Sequence, residues 1–148
     1  CVFETFRVHP ASPVACRKAV SPSKILEKKN IKAGDLIIVD LWNSNRDISV
    51  YGIDATKYNP YREISKNYPP WGLTFGVGSH SCLARVLDGG EIPKEGTDIN
   101  NHNFGLITCF MKSLLDSGAK TSQKDIPHLD SKTERQNWGE YPIIFKKE

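Results

Sequence analysis

The sequence predicts an α+β fold that is mainly helical, and three observations lead to that class. Apolar residues recur every three or four positions between 106 and 115, which is the spacing of one helix face. Residues 1–9 also suit a helix, and the prolines that follow end it. Residues 15–20 and 35–42 are predicted strands, the second introduced by a turn at 32–34, and 141–145 is predicted to be a final strand.

Composition excludes several classes of protein. A net charge of +3 without a Lys/Arg tract argues against a nucleic-acid partner, and no apolar run approaches the length of a membrane span. No signal peptide opens the chain. The four cysteines, Cys1, Cys16, Cys82 and Cys109, lack the paired spacing of zinc or redox sites, and a disulfide-stapled secreted domain is usually smaller and richer in cysteine. We therefore expect a reducing compartment, the cytoplasm.

The first predicted helix has no capping residue ahead of it, which suggests that the chain begins inside an element of a longer protein or completes another chain. Glu4 and Arg7 are three residues apart and therefore share a face of this helix. There they can form a charge-assisted, bidentate contact. The alternative is an exposed helical ion pair, which contributes about a few tenths of a kcal/mol.

The most informative stretch is residues 75–84, Phe-Gly-Val-Gly-Ser-His-Ser-Cys-Leu-Ala. Gly76 and Gly78 allow crowded backbone conformations and leave room for a flat, bulky group. We expect Cys82 at the start of an apolar helix, where the helix dipole and free N–H groups favour a thiolate. Phe75 is expected to shield the sulfur from water. Cys82 is therefore a candidate metal-bound thiolate.

Two motifs resemble those of the cytochromes P-450, the haem-thiolate monooxygenases. The loop matches the family pattern Phe-x-x-Gly-x-x-x-Cys-x-Gly at Phe75, Gly78 and Cys82, and Ala84 replaces the last glycine with another small residue. Residues 4–10 match the family pattern Glu-x-x-Arg-x-His-Pro. The resemblance covers the whole chain, which it identifies as the carboxy-terminal portion of a bacterial-type family member, from the end of the K helix through small β-sheets, meander and haem-binding loop to the L helix.

This resemblance implies a binding site for haem b, iron protoporphyrin IX. It makes Cys82 the catalytic residue, as the axial ligand of the haem iron. The cofactor-binding residues that it implies are Arg17, Phe75, Gly76, Gly78, His80, Cys82 and Ala84. Arg17 and His80 are expected to contact haem propionates, since a guanidinium or imidazole can donate to a carboxylate. The alternatives are a solvated strand charge for Arg17, and a second metal ligand or a surface residue for His80.

By the same resemblance, Glu4, Arg7 and Arg62 form a structural triad that braces the scaffold behind the loop. Arg62 is supplied by residues 55–62, which resemble the family's meander. Two arginines and one glutamate leave a net charge, so the cluster needs backbone carbonyls as further acceptors. The resemblance also places three residues beside the substrate pocket, although all three equally suit a core: Pro13, Val14 and Ala15.

Other segments are given structural roles. Residues 45–47 are expected to stabilise a turn, and residues 68–72 to approach the loop in extended form with Trp71 packed. Residues 91–103 are polar and are interpreted as an insertion loop of a kind found in one bacterial branch of the family. The apolar stripe of the helix that follows is predicted to be core, with Cys109 as a small buried hydrophobe. The chain alone is expected to expose such core faces of its helices.

The resemblance implies that the family's oxygen-activating residues lie in an amino-terminal portion outside this chain. We therefore expect the chain to act together with an amino-terminal portion, on a separate chain or in the same polypeptide, to oxidise a small organic substrate. A ferredoxin or flavodoxin is expected to dock near Arg85 and Lys112. The alternatives are a haem-thiolate enzyme that isomerises, dehydrates or nitrates, and a zinc module with four ligands, His80, Cys82, His102 and Cys109, whose spacing suits structural zinc poorly.

Overall fold

A computed structural model of the chain describes residues 1–25, 29–132 and 137–145. Its contacts divide the chain into two compact units, Cys1–Arg85 and Val86–Glu148. Each unit contains helix and two-stranded antiparallel sheets, so the α+β class predicted from the sequence is confirmed. Within the described part of the chain, no helix is long and apolar enough to cross a bilayer.

The first unit opens with helix α1 (Val2–Val8), which ends just before the first proline, as predicted. Strand β1 (Val14–Lys18) then pairs antiparallel with β4 (Leu36–Asp40), and Cys16 lies opposite Ile38 in the register. The helix and both strands were predicted from the sequence, with ends that differ by one or two residues.

Between these two strands lies a small two-stranded sheet that the sequence pattern does not reveal. Strand β2 (Ser23–Ile25) pairs antiparallel with β3 (Lys29–Ile31). The turn predicted at 32–34 is present, because the N–H of Asp35 donates to the carbonyl of Lys32 at 3.1 Å. Gly34 occupies this turn with a φ of 91°, a conformation that favours glycine.

Two short helices follow β4, and each is started by an aspartate. Asp40 accepts a hydrogen bond from a first-turn N–H of α2 (Leu41–Ser44), so the segment predicted as strand through residue 42 turns helical at residue 41. Asp47 does the same for α3 (Ile48–Tyr51), a helix that was not predicted. Side-chain capping overrides the apolar pattern here.

Aromatic side chains form the core of the first unit. Phe3 and Phe6, on α1, pack edge-to-face on Trp71 and Phe75, with ring centroids 5.2 Å apart in both pairs. Trp71 and Phe75 also contact each other at 5.7 Å. The packing of Trp71 is therefore as predicted, but the extended approach to the loop is wrong, because residues 70–75 form consecutive turns.

The second unit contains helix α4 (Leu106–Asp116), which begins after the insertion loop, as predicted. Strand β5 (Lys120–Thr121) pairs with β8 (Ile143–Ile144), so a shorter form of the predicted final strand is confirmed. Strand β6 (His128–Leu129) pairs with β7 (Trp138–Glu140). Residues 133–136 of the polar segment before β7 lie outside the described residues.

The α4 stripe is largely exposed in this chain, as expected for a core face that lacks the amino-terminal portion. Leu106, Phe110 and Leu115 are 56%, 59% and 65% exposed, and Cys109 is exposed as well. Helical periodicity identifies the face that gains free energy on burial, but it does not identify the residues that bury it. Leu114, in the same stripe, is half-buried.

Candidate functional site

A buried charged cluster lies between α1 and the segment after α3. Arg7 is fully buried, and its guanidinium donates to both carboxylate oxygens of Glu4, through Nε at 2.8 Å and Nη2 at 2.7 Å. The remaining donors reach the backbone carbonyls of Asn45, Ala55 (2.8 Å) and Lys57 (3.3 Å). Each of the five N–H groups of a guanidinium therefore has an acceptor.

Arg62 joins the same cluster from the meander. Its Nε donates to Glu4 at 3.1 Å, and its Nη1 pairs with the carboxylate of Asp54 at 2.5 Å. Its other donors reach the carbonyls of Tyr51, Asp54 (2.9 Å) and Lys57 (3.1 Å). The structure thus brings the three predicted triad residues together and supplies the carbonyl acceptors that their charge balance requires.

Glu4 is the centre of this cluster and is only 5% exposed. Burial raises the pKa of its carboxyl, but hydrogen bonds from Arg7, from the N–H of Asn59 and from Arg62 outweigh burial and lower the pKa below its usual range. With Asp54, the cluster holds two carboxylates and two guanidiniums and has no net charge. Because its donors are already used, the cluster is suited to bracing and not to chemistry on a substrate.

The carboxy-terminal end of α1 is held by side chains from later segments. A helix leaves its last carbonyl groups without intrahelical partners. Here these carbonyls accept hydrogen bonds from side chains. The carbonyl of Phe6 accepts from Thr74 at 2.5 Å, that of Arg7 from Asn45 at 3.0 Å, and that of Val8 from Arg46. Asn45 was predicted to stabilise a turn, but it is fully buried and connects separate segments.

The loop that carries Cys82 is fixed by main-chain hydrogen bonds. The N–H of Cys82 donates to the carbonyl of Phe75 at 2.7 Å, and the N–H of Gly76 donates to the carbonyl of Leu73 at 2.8 Å. Gly76 and Gly78 both have a φ of 67°, and an added Cβ at Gly76 would lie 3.1 Å from a backbone oxygen. The loop therefore needs the glycines that the sequence places there.

Two expectations about Cys82 are corrected by the structure. Cys82 does not begin a regular α-helix, because a turn follows it and then one π-helical turn, Arg85–Gly89. Phe75 does not shield the thiol, because its ring packs against Phe6 and Trp71 while Cys82 stays exposed. The contact between Phe75 and Cys82 is through the backbone.

The other residues predicted to bind a cofactor or substrate lie at the surface of the first unit. Arg17 is exposed on β1 and donates to the neighbouring carbonyl of Cys16 at 2.8 Å. His80 is exposed in a short 3₁₀ turn, Gly78–His80, and Ala84 is half-buried. Pro13 and Ala15 are half-buried, and Val14 is 42% exposed. Among the described residues, no hydrogen bond or ion pair joins Arg17 or His80 to Cys82.

The residues proposed for electron-donor docking are both exposed. Arg85 lies at the end of the first unit, and Lys112 lies on α4, where it pairs with Asp116 four residues later. That pair offsets the charge of Lys112 locally. For the zinc alternative, the described residues contain no group of three or more His, Cys, Asp or Glu side chains that suits a metal ion.

Sequence reasoning missed two members of this site. Asp54 completes the charge balance, and the imbalance among the three predicted residues was a signal that a further carboxylate was needed. Asn45 gave no such signal, because a polar residue beside Arg46 and Asp47 is typical of a surface turn. Its role depends on contacts with residues 38 positions earlier and 28 positions later in the chain.

Comparison with known proteins agrees with this geometry. The family model described as Cytochrome P-450 matches residues 1–87, which include both the Glu4 motif and the Cys82 loop. Cytochrome P-450 71A12 of Arabidopsis thaliana is 31% identical over 84 residues, which are 53% of this chain and 17% of that protein. Indoleacetaldoxime dehydratase of the same plant is 29% identical over 84 residues, again 53% of this chain and 17% of that protein.

Solved structures match over nearly the full chain. CYP109E1 of Bacillus megaterium, in complex with testosterone, has a TM-score of 0.68 at 17% identity and covers 98% of this chain and 34% of its own. CalO2 has a TM-score of 0.68 at 18% identity, with 98% of this chain and 32% of that one covered. These likenesses concern the fold. The chain therefore spans 32–34% of the solved structures and 17% of the curated relatives named here.

Proposed function

Because the chain belongs to the cytochrome P-450 family, we propose that it is the carboxy-terminal, haem-binding portion of a haem-thiolate monooxygenase in which the thiolate of Cys82 would hold the haem iron. Proteins of this family bind haem b through a cysteine ligand. The observation that carries the proposal is Cys82 itself, an exposed thiol whose backbone N–H is fixed on the carbonyl of Phe75 at 2.7 Å.

The residues around Cys82 fit a large, flat group. Residues 77–80 are exposed, and a Cβ added at Gly78 meets nothing within 4 Å, so the loop presents an open surface beside the thiol. When bound, a thiolate-ligated haem supplies the oxidising chemistry, because the sulfur donates electron density to the iron. Arg17 and His80, both exposed, offer a guanidinium and an imidazole to the propionates.

The residues of this chain hold the loop and the cofactor in place, and they do not transfer protons. The cluster of Glu4, Arg7, Arg62 and Asp54 uses its donors internally, so it braces α1 behind the loop. Residues 13–15, at the start of β1, remain the candidates for the substrate side, where the half-buried Pro13 and Ala15 can exclude water.

The remaining partners are proposed on the same basis. An amino-terminal portion supplies the rest of the substrate pocket, since the solved structures named above are about three times longer than this chain. A small organic molecule is the substrate, and an acidic ferredoxin or flavodoxin is the electron donor, attracted chiefly by the exposed Arg85. The bacterial origin and the cytoplasmic location expected from the sequence stay predictions.

Salt dependence tests the electron-donor proposal. Reduction of the full protein by a purified acidic ferredoxin should slow as salt rises, because salt screens the attraction. Arg85→Ala with Lys112→Ala should be slower at low salt and less sensitive to added salt. If the double variant keeps the rate and the salt dependence of the parent, another surface receives the donor.

A second activity is kept because a specific relative supports it. Indoleacetaldoxime dehydratase is 29% identical to this chain over 84 residues. A haem-thiolate enzyme of dehydrating type uses the same Cys82 ligand, so the two candidates differ in the distal residues and not in this loop. Product analysis with and without dioxygen and an electron donor separates them, because dehydration incorporates no oxygen.

The thiolate assignment is tested by absorption spectroscopy of the full polypeptide, or of the chain co-expressed with its upstream partner. The reduced, carbon-monoxide-bound protein should show the strongly red-shifted Soret band of thiolate-ligated haem. Cys82→Ser should lose that band. Cys109→Ser, another exposed cysteine, is the matched control and should keep it. A preparation without haem, or a red-shifted band that survives Cys82→Ser, contradicts the proposal.

A further inference from the structure

Asn45 is the polar side chain that the charged cluster leaves unexplained. It is fully buried, and its amide uses both ends. The nitrogen Nδ2 donates to the carbonyl of Arg7 at 3.0 Å and to Oγ1 of Thr74 at 3.2 Å, and the oxygen Oδ1 accepts from the N–H of Leu73 at 2.7 Å. A buried amide in this state is costly to replace, because each lost partner leaves a polar group without a hydrogen bond.

The Nδ2 end of this amide contacts α1, the helix that carries the Glu-x-x-Arg motif. The carbonyl of Arg7 is one of the groups that α1 cannot satisfy itself. The guanidinium of the same residue donates to the backbone carbonyl of Asn45, so Arg7 and Asn45 are joined in both directions. The position of Asn45 is thereby tied to the charged cluster.

The Oδ1 end contacts Leu73, in the segment that leads into the cysteine loop. Leu73, held by Asn45, accepts from the N–H of Gly76 at 2.8 Å, and Phe75 accepts from the N–H of Cys82 at 2.7 Å. Only Thr74 therefore lies between Leu73, which contacts Asn45, and Phe75, whose carbonyl fixes Cys82. A shift of Leu73 moves the backbone that positions the thiol.

Gly72 shows how closely this junction is fitted. It has a φ of 62°, and a Cβ added there would lie 2.3 Å from Oδ1 and 2.8 Å from Cγ of Asn45. The hydroxyl of Tyr51 would lie 3.0 Å from the same Cβ. Any side chain at position 72 therefore displaces the amide of Asn45, while glycine lets the two segments meet.

We infer that Asn45, seated on Gly72, is a positioning residue that transmits the placement of α1 to the Cys82 loop and so fixes the thiolate for its metal. The inference deepens the proposed function, and its link to haem depends on that proposal. The link to the loop backbone does not, and it can be measured separately. Asn45 itself touches neither Cys82 nor its neighbours in the loop among the described contacts.

The first test measures hydrogen exchange of the 73–82 peptide in the full protein. Asn45→Ala should speed exchange of this peptide at least about tenfold, because the N–H of Leu73 and the carbonyl of Arg7 lose their partner. Asn43→Ala is the matched control, since Asn43 is exposed two residues away and should leave the peptide unchanged. Unchanged exchange in a folded Asn45→Ala protein overturns the inference.

The second test measures the fraction of reduced, carbon-monoxide-bound protein that shows the red-shifted Soret band. Asn45→Ala should convert a substantial fraction to the unshifted band of a neutral ligand, while Asn43→Ala should not. A purely structural role lowers total haem content and leaves this ratio unchanged, which is the opposing outcome. If the parent protein has no red-shifted band, the proposed function fails, and the exchange experiment still decides the role of Asn45.

A double-mutant cycle distinguishes a specific contact between residues 45 and 72 from a general loss of stability caused by one substitution. Gly72→Ala should speed exchange of the 73–82 peptide, because its Cβ displaces the amide of Asn45. In the Asn45→Ala background, the clashing atoms are absent, so Gly72→Ala should add less than it does alone. Fully additive effects mean that residues 45 and 72 act independently, and they contradict the inference.

Discussion

The two units of the chain are ordered by different means. Among the described residues, the buried apolar side chains all lie in the first unit, Cys1–Arg85: Val8, Ile31, Leu41, Tyr51, Ala55, Trp71 and Phe75. Of the buried polar side chains, Glu4, Arg7 and Asn45 lie in the first unit and Ser122 lies in the second. Among the described residues of the second unit, no large apolar side chain is buried, and the α4 stripe is exposed. The first unit therefore has its own core, and the second has an apolar face still to be covered.

Close backbone contact takes the place of a core in the second unit. Gly90 and Phe104 form an isolated antiparallel bridge, and a Cβ added at Gly90 would lie 2.2 Å from the nitrogen of Gly105. Such contact fixes where the insertion loop begins and ends without burying side chains. The comparison indicates that buried polar contacts stabilise the first unit, and that close backbone contact fixes the ends of the insertion loop in the second.

The largest expected effect is the loss of Arg7. Arg7→Met leaves the carboxylate of Glu4 and the carbonyl of Ala55 without their main donor in a buried place, which should cost about 3–5 kcal/mol of the free energy of unfolding. Urea unfolding of the full protein measures this loss. A cost near zero means that solvent reaches the cluster, and the contrast between the units then fails.

The matched control removes a cation from the second unit. Lys112→Met breaks the ion pair with Asp116. The side chain of Lys112 is 74% exposed and that of Asp116 is 62% exposed. Solvent screens such a pair, so the expected cost is less than about 1 kcal/mol. The two substitutions to methionine thus compare the stability cost of losing a buried guanidinium with that of losing an exposed ammonium.

The next effect tests backbone crowding in the second unit. Gly90→Ala should cost about 1–3 kcal/mol more than Gly96→Ala, because only the first introduces a Cβ into occupied space. Both glycines have a positive φ, of 74° and 79°, and a Cβ at Gly96 meets nothing within 4 Å. Equal costs in urea unfolding mean that conformational strain accounts for the whole effect and that the contact is not tight.

The sequence predicted the parts of the fold that depend on neighbouring residues. α1, β1 and α4 follow from local periodicity and from prolines or glycines at their ends. The pairing of Glu4 with Arg7 follows from helical spacing, and Arg62 was identified through the family resemblance. Apart from the contact between Glu4 and Arg62, which are 58 positions apart, these features depend on residues that are close in the chain.

Other features depended on distant contacts and were missed or wrong. Asn45 has the local surroundings of a turn residue, but its partners lie on α1 and before the loop. Phe75 was expected to face Cys82, and instead its ring fills the space beside Phe6. Periodicity identified the apolar face of α4, but it does not say which residues cover that face.

The smallest expected effect is a dependence of stability on pH in the first unit. Burial raises the pKa of Glu4, but its hydrogen bonds with Arg7, Asn59 and Arg62 lower it below the ordinary value of 4.5. A carboxyl with a lower pKa in the folded state stabilises that state above 4.5, and the stabilisation is lost as the pH falls below it. Asp54 acts in the same direction, because a hydrogen bond from Arg62 lowers its pKa.

Glu4→Gln isolates this contribution. The amide has a similar shape but no proton to gain, so the variant should be less stable than the parent at neutral pH and should lose less stability between about pH 5 and pH 3. Each unit of pKa difference between the folded and unfolded states corresponds to about 1.4 kcal/mol, which sets the size of the change. Hydrogen exchange should place the acid-induced loss first in α1, since Glu4 lies there. A loss that is as steep in Glu4→Gln as in the parent assigns the acid sensitivity to other carboxyl groups.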